Sequence, residues 1–85
     1  MGKAMKNYKK GDIIRYIYHN AYLEMRDITI YRILEIQNNN YLLQELYRSD
    51  KYMALRTFNH PINIINGITD KISKLTALLK YGVNI

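Results

Sequence analysis

The sequence predicts a mainly β chain with one C-terminal helix, arranged as a five-stranded, strongly bent antiparallel sheet or a small β-barrel. Three observations carry this. Residues 28–36 (ITIYRILEI) and 41–47 (YLLQELY) are crowded with β-branched and aromatic side chains, and the polar run 37–40 separates them. Other short apolar runs are punctuated by Gly11, Asn20, the polar stretch 48–51 and Pro61. A single stretch near the C-terminus repeats apolar residues at helical spacing.

The elements follow in order. Residues 1–10 form a basic N-terminal tail that ends at the Gly11-Asp12 turn signal. A first strand runs from about Ile13 to His19. Its two faces, Ile14/Tyr16/Tyr18 and Ile13/Arg15/Ile17, both carry apolar bulk, so periodicity leaves the buried face open. The more polar run from Tyr22 to Asp27 is a loop or a short edge strand. The central hairpin turns through Gln37 to Asn40, where asparagine tolerates left-handed geometry. A fourth strand is expected from Tyr52 to Phe58. Asn59-His60-Pro61 interrupts it, because proline cannot donate to a ladder. A short fifth strand, Ile62 to Ile65, closes a β core over residues 11–68. A helix then spans about Asp70 to Tyr81 within residues 69–82. Thr69 or Asp70 caps its start, Ile72, Leu75, Leu78 and Leu79 form its apolar stripe, and Gly82 is its left-handed stop. That stripe is expected to pack on the sheet, with a dimer contact as the alternative.

The 85 residues make one domain, without cysteine and without an apolar run near the length of about 20 residues that a membrane span needs. The missing cysteine fits a cytoplasmic protein, and the core holds the fold without disulfides. The basic N-terminus has no apolar h-region, so a secretory signal is not expected. The net charge is +6 but unevenly spread. Residues 1–10 carry four lysines and no acid, residues 11–56 balance six basic against six acidic side chains, and residues 57–85 carry three lysines and one aspartate. A neutral body with basic ends suits phosphate contact, or simply solubility.

Catalytic parts are sparse. There is no glycine-rich phosphate loop among four glycines, and the two serines lie in a charged turn and a helix. His19, near Glu24 and Asp27, matches no standard metal spacing, and His60 precedes Pro61 in a turn. No enzyme, cofactor or metal is expected. Nine tyrosines exceed what so small a core can bury, and all five arginines fall in the β region. Tyrosine interleaved with arginine on strands suits base stacking or a protein contact. The plainer alternative is cross-strand packing, with each arginine on a nearby carboxylate. The candidate contact residues are Lys6, Lys9, Lys10, Arg15, Arg26, Arg32, Arg56, Tyr31, Tyr41 and Tyr47.

Tyr8-Lys-Lys-Gly-Asp-Ile-Ile-Arg15, followed by Tyr31-Arg-Ile-Leu-Glu-Ile36 and Tyr41-Leu-Leu-Gln44, resembles the opening of small SH3-like barrels. The second half, from Asn40-Tyr41-Leu42 through Leu55-Arg56-Thr57-Phe58 to Ile62, resembles WYL domains. That likeness implies an SH3-like β core that binds nucleic acid or a nucleotide-like ligand, with Tyr41, Arg56 and Phe58 at matching positions and Arg26 at an upstream strand arginine. Asn40 stands where that family has tryptophan, and Ile62-Asn63 where it has Arg-Ile.

Two functions of different class follow. The first is a small non-enzymatic module that contacts nucleic acid or a nucleoprotein. The second is a phage-encoded inhibitor of a host nuclease, defence complex or polymerase that acts by protein–protein contact. The Asn-, Ile-, Lys- and Tyr-rich composition fits an A+T-rich phage or host genome. A homodimer is a further expectation, and a membrane partner is not.

Overall fold

The computed structural model describes residues 8–20, 22, 25–50 and 54–85. They form one five-stranded antiparallel sheet in the order β4-β3-β2-β1-β5, with two short helices. The strands are β1 (Ile13–Asn20), β2 (Met25–Gln37), β3 (Asn40–Arg48), β4 (Thr57–Pro61) and β5 (Thr69–Ile72). Helix α1 (Ile62–Ile68) lies between β4 and β5, and α2 (Lys74–Tyr81) follows β5. The expected mainly β fold with a C-terminal helix holds. The sheet does not close: β4 and β5 remain its two edges.

The central hairpin forms as its pattern dictates. Gln37 pairs with Asn40, and Asn38 takes φ 53°, the left-handed conformation that asparagine tolerates. β2 begins at Met25, so residues 26 and 27 belong to the hairpin strand and not to a separate loop or edge strand. Two register shifts in the β2–β3 ladder, at Ile30/Tyr31 and Ile33/Glu35, add the bend that bulges impose.

Both faces of the sheet are covered, which explains why β1 is apolar on both. One face holds Tyr8, Ile14, Tyr31, Ile33, Tyr41, Leu43 and Ile65, with Phe58 and Ile62 of β4 and α1 packed against them. The other holds Ile13, Ile30, Ile72, Ala77 and Val83, with Tyr47 and Tyr81 alongside. Helix α1 contacts both edge strands and so lies across the gap between them.

Three expected elements differ. The fourth strand begins at Thr57; residues 54–56 carry no strand, and Tyr52 and Met53 lie outside the described residues. Ile62 to Ile65 is helical, despite its β-branched residues, because Ile65 is buried in the α1-side core and Asn66 accepts a 2.9 Å hydrogen bond from the Tyr41 hydroxyl. Tertiary contacts override the weak strand preference there. The C-terminal helix starts at Lys74 and is capped by Ser73, whose hydroxyl accepts from the Thr76 N–H at 3.0 Å. Thr69 to Ile72, expected as its first turn, instead pairs with β1 as β5. Gly82 is the left-handed stop at φ 69°, and its N–H bonds the Leu78 carbonyl at 2.9 Å.

Tyr8, expected in the tail, is buried. Its ring lies 6.0 Å from that of Tyr41, and its hydroxyl lies 2.9 Å from Thr69 Oγ1. The Thr69 hydroxyl donates to the Ile65 carbonyl at 2.6 Å, which leaves Tyr8 as the donor to Thr69. This chain ties the segment before β1 to the junction of α1 and β5.

Candidate functional site

The expected contact residues do not form one surface. Lys6 lies outside the described residues. Lys9 sits in the Gly11 turn, where its backbone N–H donates to Asp12 Oδ2 at 2.8 Å, and its side chain is exposed. Gly11 takes φ 90°, a conformation glycine adopts without strain. Lys10 pairs with Glu35 at 2.7 Å on the surface.

The register divides the arginines. Arg15 pairs across from Ile30, Arg32 from Ile13 and Arg26 from His19, which puts all three on the α2 face. Arg48 stands opposite Thr29 and belongs with the α1 face. The Arg56 guanidinium sits 5.3 Å from the centroid of the Phe58 ring, also on the α1 side.

Four of the five are engaged within the chain. Arg15 makes a two-pronged contact with Asp70, Nη2 to Oδ2 at 2.8 Å and Nε to Oδ1 at 3.4 Å, and Nη1 donates to the Tyr81 hydroxyl at 3.1 Å. The Asp70 bonds, with Tyr81 second, hold its guanidinium above the usual range. Arg32 donates through Nε and Nη2 to Gln44 Oε1 at 3.2 and 2.8 Å. Arg48 bonds Glu45 Oε2 at 2.9 Å, and Arg56 approaches Glu45 Oε1 at 3.6 Å while its backbone N–H donates to the same oxygen at 2.8 Å. Glu45 is thus a buried carboxylate satisfied from two sides, as a buried charge requires. Arg26 is exposed, with no ion pair or hydrogen bond among the described residues.

The tyrosines divide likewise. Tyr31 and Tyr41 are core residues and not contact residues; they are 8% and 2% exposed. Burial, with the nearby Glu45 charge second, pushes the Tyr31 hydroxyl above the usual phenol range. Tyr47 is half-buried against Tyr81, ring centroids 5.4 Å apart. No metal-holding group of His, Asp and Glu occurs among the described residues, and Glu24 lies outside them. His60 packs edge-on against Phe58 at 4.8 Å.

Two further exposed surfaces carry apolar side chains. The first is an extension of the β1–β2 hairpin. β5 leaves β1 at Tyr16, and β3 leaves β2 at Thr29, so residues 17–20 and 25–28 continue as a two-stranded ribbon. Ile17, Tyr18 and Tyr22 are exposed on or beside it. The second is α2. Its stripe faces outward: Leu75, Leu78 and Leu79 are 63%, 46% and 74% exposed, while Ala77 is fully buried. The expectation that the leucines pack on the sheet is therefore overturned. The small Ala77 lets the helix approach Ile13 and Ile30, and Tyr81 and Val83 complete that contact. The leucine spacing was the available signal; which helical face turns inward was not encoded locally.

No helix among the described residues is long and apolar enough to cross a membrane. The geometry defines a small antiparallel β protein with a split set of basic residues and exposed apolar ones. Comparison with protein-family models, curated proteins and solved structures finds no match for the chain. The likeness to SH3-like barrels and WYL domains thus stands at the coarse level of a small β fold.

Proposed function

We propose that this chain is a non-enzymatic binding module that works by protein–protein contact. The observation that supports this reading is the fate of the arginines. Arg15, Arg32, Arg48 and Arg56 each have a side-chain partner within the chain, Asp70, Gln44 or Glu45, which favours a structural use of these arginines over base contact. Large apolar side chains are exposed instead, on the ribbon and on α2. Inhibition of a host nuclease, defence complex or polymerase by a phage-encoded chain is one form such contact takes. A cytoplasmic site fits that reading.

A second reading, contact with nucleic acid or a nucleoprotein, draws on the net charge of +6 and on the exposed Arg26 and Lys9. Charge of this kind gives attraction that falls steeply with salt. Fluorescence anisotropy against single-stranded DNA, duplex DNA and RNA at low salt separates the two. Protein–protein action predicts no saturable binding below about 10 μM, near the range of purely non-specific phosphate contact. Saturable, salt-sensitive binding that Arg26→Ala weakens reverses the preference.

A further inference from the structure

We infer that Arg32, held in position by Gln44, is a docking point for a carboxylate, an Asp or Glu side chain on a partner protein. This rests on the protein–protein reading above and names the site and the partner chemistry.

Arg32 differs from the other engaged arginines in the charge of its partner. Arg15, Arg48 and Arg56 each face a carboxylate, of Asp70 or Glu45. Arg32 faces a neutral amide: Gln44 Oε1 accepts from Nε at 3.2 Å and from Nη2 at 2.8 Å. Those bonds orient the guanidinium and leave its charge uncancelled. They also use only one edge of the group. The remaining N–H groups, on Nη1 and Nη2, form the second edge of the fork. No hydrogen bond or ion pair reaches that edge among the described residues. Two parallel N–H groups so arranged match the two oxygens of a carboxylate. A glutamate at position 44 would hold Arg32 and cancel its charge; glutamine holds it and keeps it charged.

The setting favours another protein as the source of that carboxylate. By register, Arg32 stands level with Gln44 of β3 and Thr57 of β4, so the three share one row across three strands. The α2-side core draws on β1, β2, β3 and β5, and its cover ends short of β4, where Thr57 and Asn59 are exposed on that face. The Gln44 NH2 group and the Thr57 hydroxyl make no hydrogen bond among the described residues, so both add donors beside the fork. Arg32 is half-buried, which limits screening by water, and strand positions hold the row rigidly. A second copy of this chain has few carboxylates to lend: five of the seven acidic residues, Asp12, Glu35, Glu45, Asp50 and Asp70, already sit in ion pairs. A nucleic-acid backbone is disfavoured too, because the row supplies a single cation and tracking a run of phosphates takes several.

The test places the photo-crosslinking residue p-benzoylphenylalanine at Thr57, at Tyr22 beside the ribbon and at exposed Asn63, in cells that naturally encode the chain. The expected result is a protein adduct at position 57, with an Asp or Glu in or next to the crosslinked peptide. That partner, once purified, should bind at least tenfold more weakly to Arg32→Gln and to Gln44→Glu. The second variant separates docking from a structural role: it supplies Arg32 with a carboxylate inside the chain, so binding should fall while the thermal melt is unchanged or raised. Four results overturn the inference: no adduct at position 57 beyond the level without irradiation, an adduct there to nucleic acid, an adduct between two copies, or a protein partner that binds Gln44→Glu as tightly as the unaltered chain. If Tyr22 or Asn63 captures a protein and position 57 does not, the protein–protein reading survives and this site is wrong. If none of the three does, both fall.

Discussion

The two faces of the sheet solve the same packing problem differently. The α1 face buries six aromatic or β-branched residues and links several of its polar side chains internally: Tyr8 to Thr69, Tyr41 to Asn66, Glu45 to two arginines. The α2 face is closed by a small residue, Ala77, with Tyr81 and Val83, and it leaves three leucines outside. The α1 side also leaves Ile64 and Ile68 exposed, so the two sides differ in how their cores are closed and not in whether apolar side chains remain outside.

The largest way to break this contrast is to hollow out the α1 face. Leu43→Ala removes a fully buried side chain and should cost on the order of 3 to 5 kcal/mol, read from urea midpoints. Glu45→Ala comes next. It removes the 2.9 Å partner of the half-buried Arg48 guanidinium, which keeps Asp50 at 3.8 Å, at an expected cost of about 2 kcal/mol. Tyr8→Phe removes one buried hydrogen bond to Thr69 and should cost about 1 kcal/mol. On the outward α2 surface, Leu79→Ser should change stability by less than about 0.5 kcal/mol, because that side chain is 74% exposed. A loss of more than about 1.5 kcal/mol there would mean the outward leucines are structural after all.

Alkaline pH sharpens the contrast again. Burial raises the hydroxyl pKa of Tyr8 and Tyr31 in the folded chain above the ordinary value of 10.0. The folded state therefore holds those protons longer than the unfolded state. Their stabilising contribution is complete below about pH 10 and is lost as pH rises through the raised folded values. Urea midpoints should be flat in this respect from pH 8 to 9.5 and fall above it, with a shallower fall in Tyr31→Phe.

The parts of the fold legible in the sequence are those fixed by neighbours along the chain. The central hairpin, its Asn38 turn, the Gly11 turn and the Gly82 stop each follow from local residue chemistry. The misread parts depend on distant partners. Asp70 and Lys71 look like a helix start until β1 pairs with them. Ile62 to Ile65 looks like a strand until Ile65 enters the core beside Tyr41. The candidate site fared the same way. Arginine was identified by type, but whether each is available is decided by contacts such as Arg15 with Asp70, 55 residues apart. Two of the three tyrosines marked for contact, Tyr31 and Tyr41, are structural, since amphipathic rings serve cores and surfaces equally well.

The β1–β5 ladder has a consequence for how the molecule assembles. β1 finds β2 nearby, and β2 finds β3 across a two-residue turn, so these ladders can form early. The β5 side of β1 must wait for residues 69–72, at the far end of a large loop whose closure entropy delays the pairing. Until then, backbone groups of Ile13 to Tyr16 stand bare at an edge, the arrangement most open to pairing with a wrong strand. Synthesis and refolding at high concentration should therefore be limited by this last strand, and Asp70→Pro, which breaks its ladder, should raise aggregation during refolding.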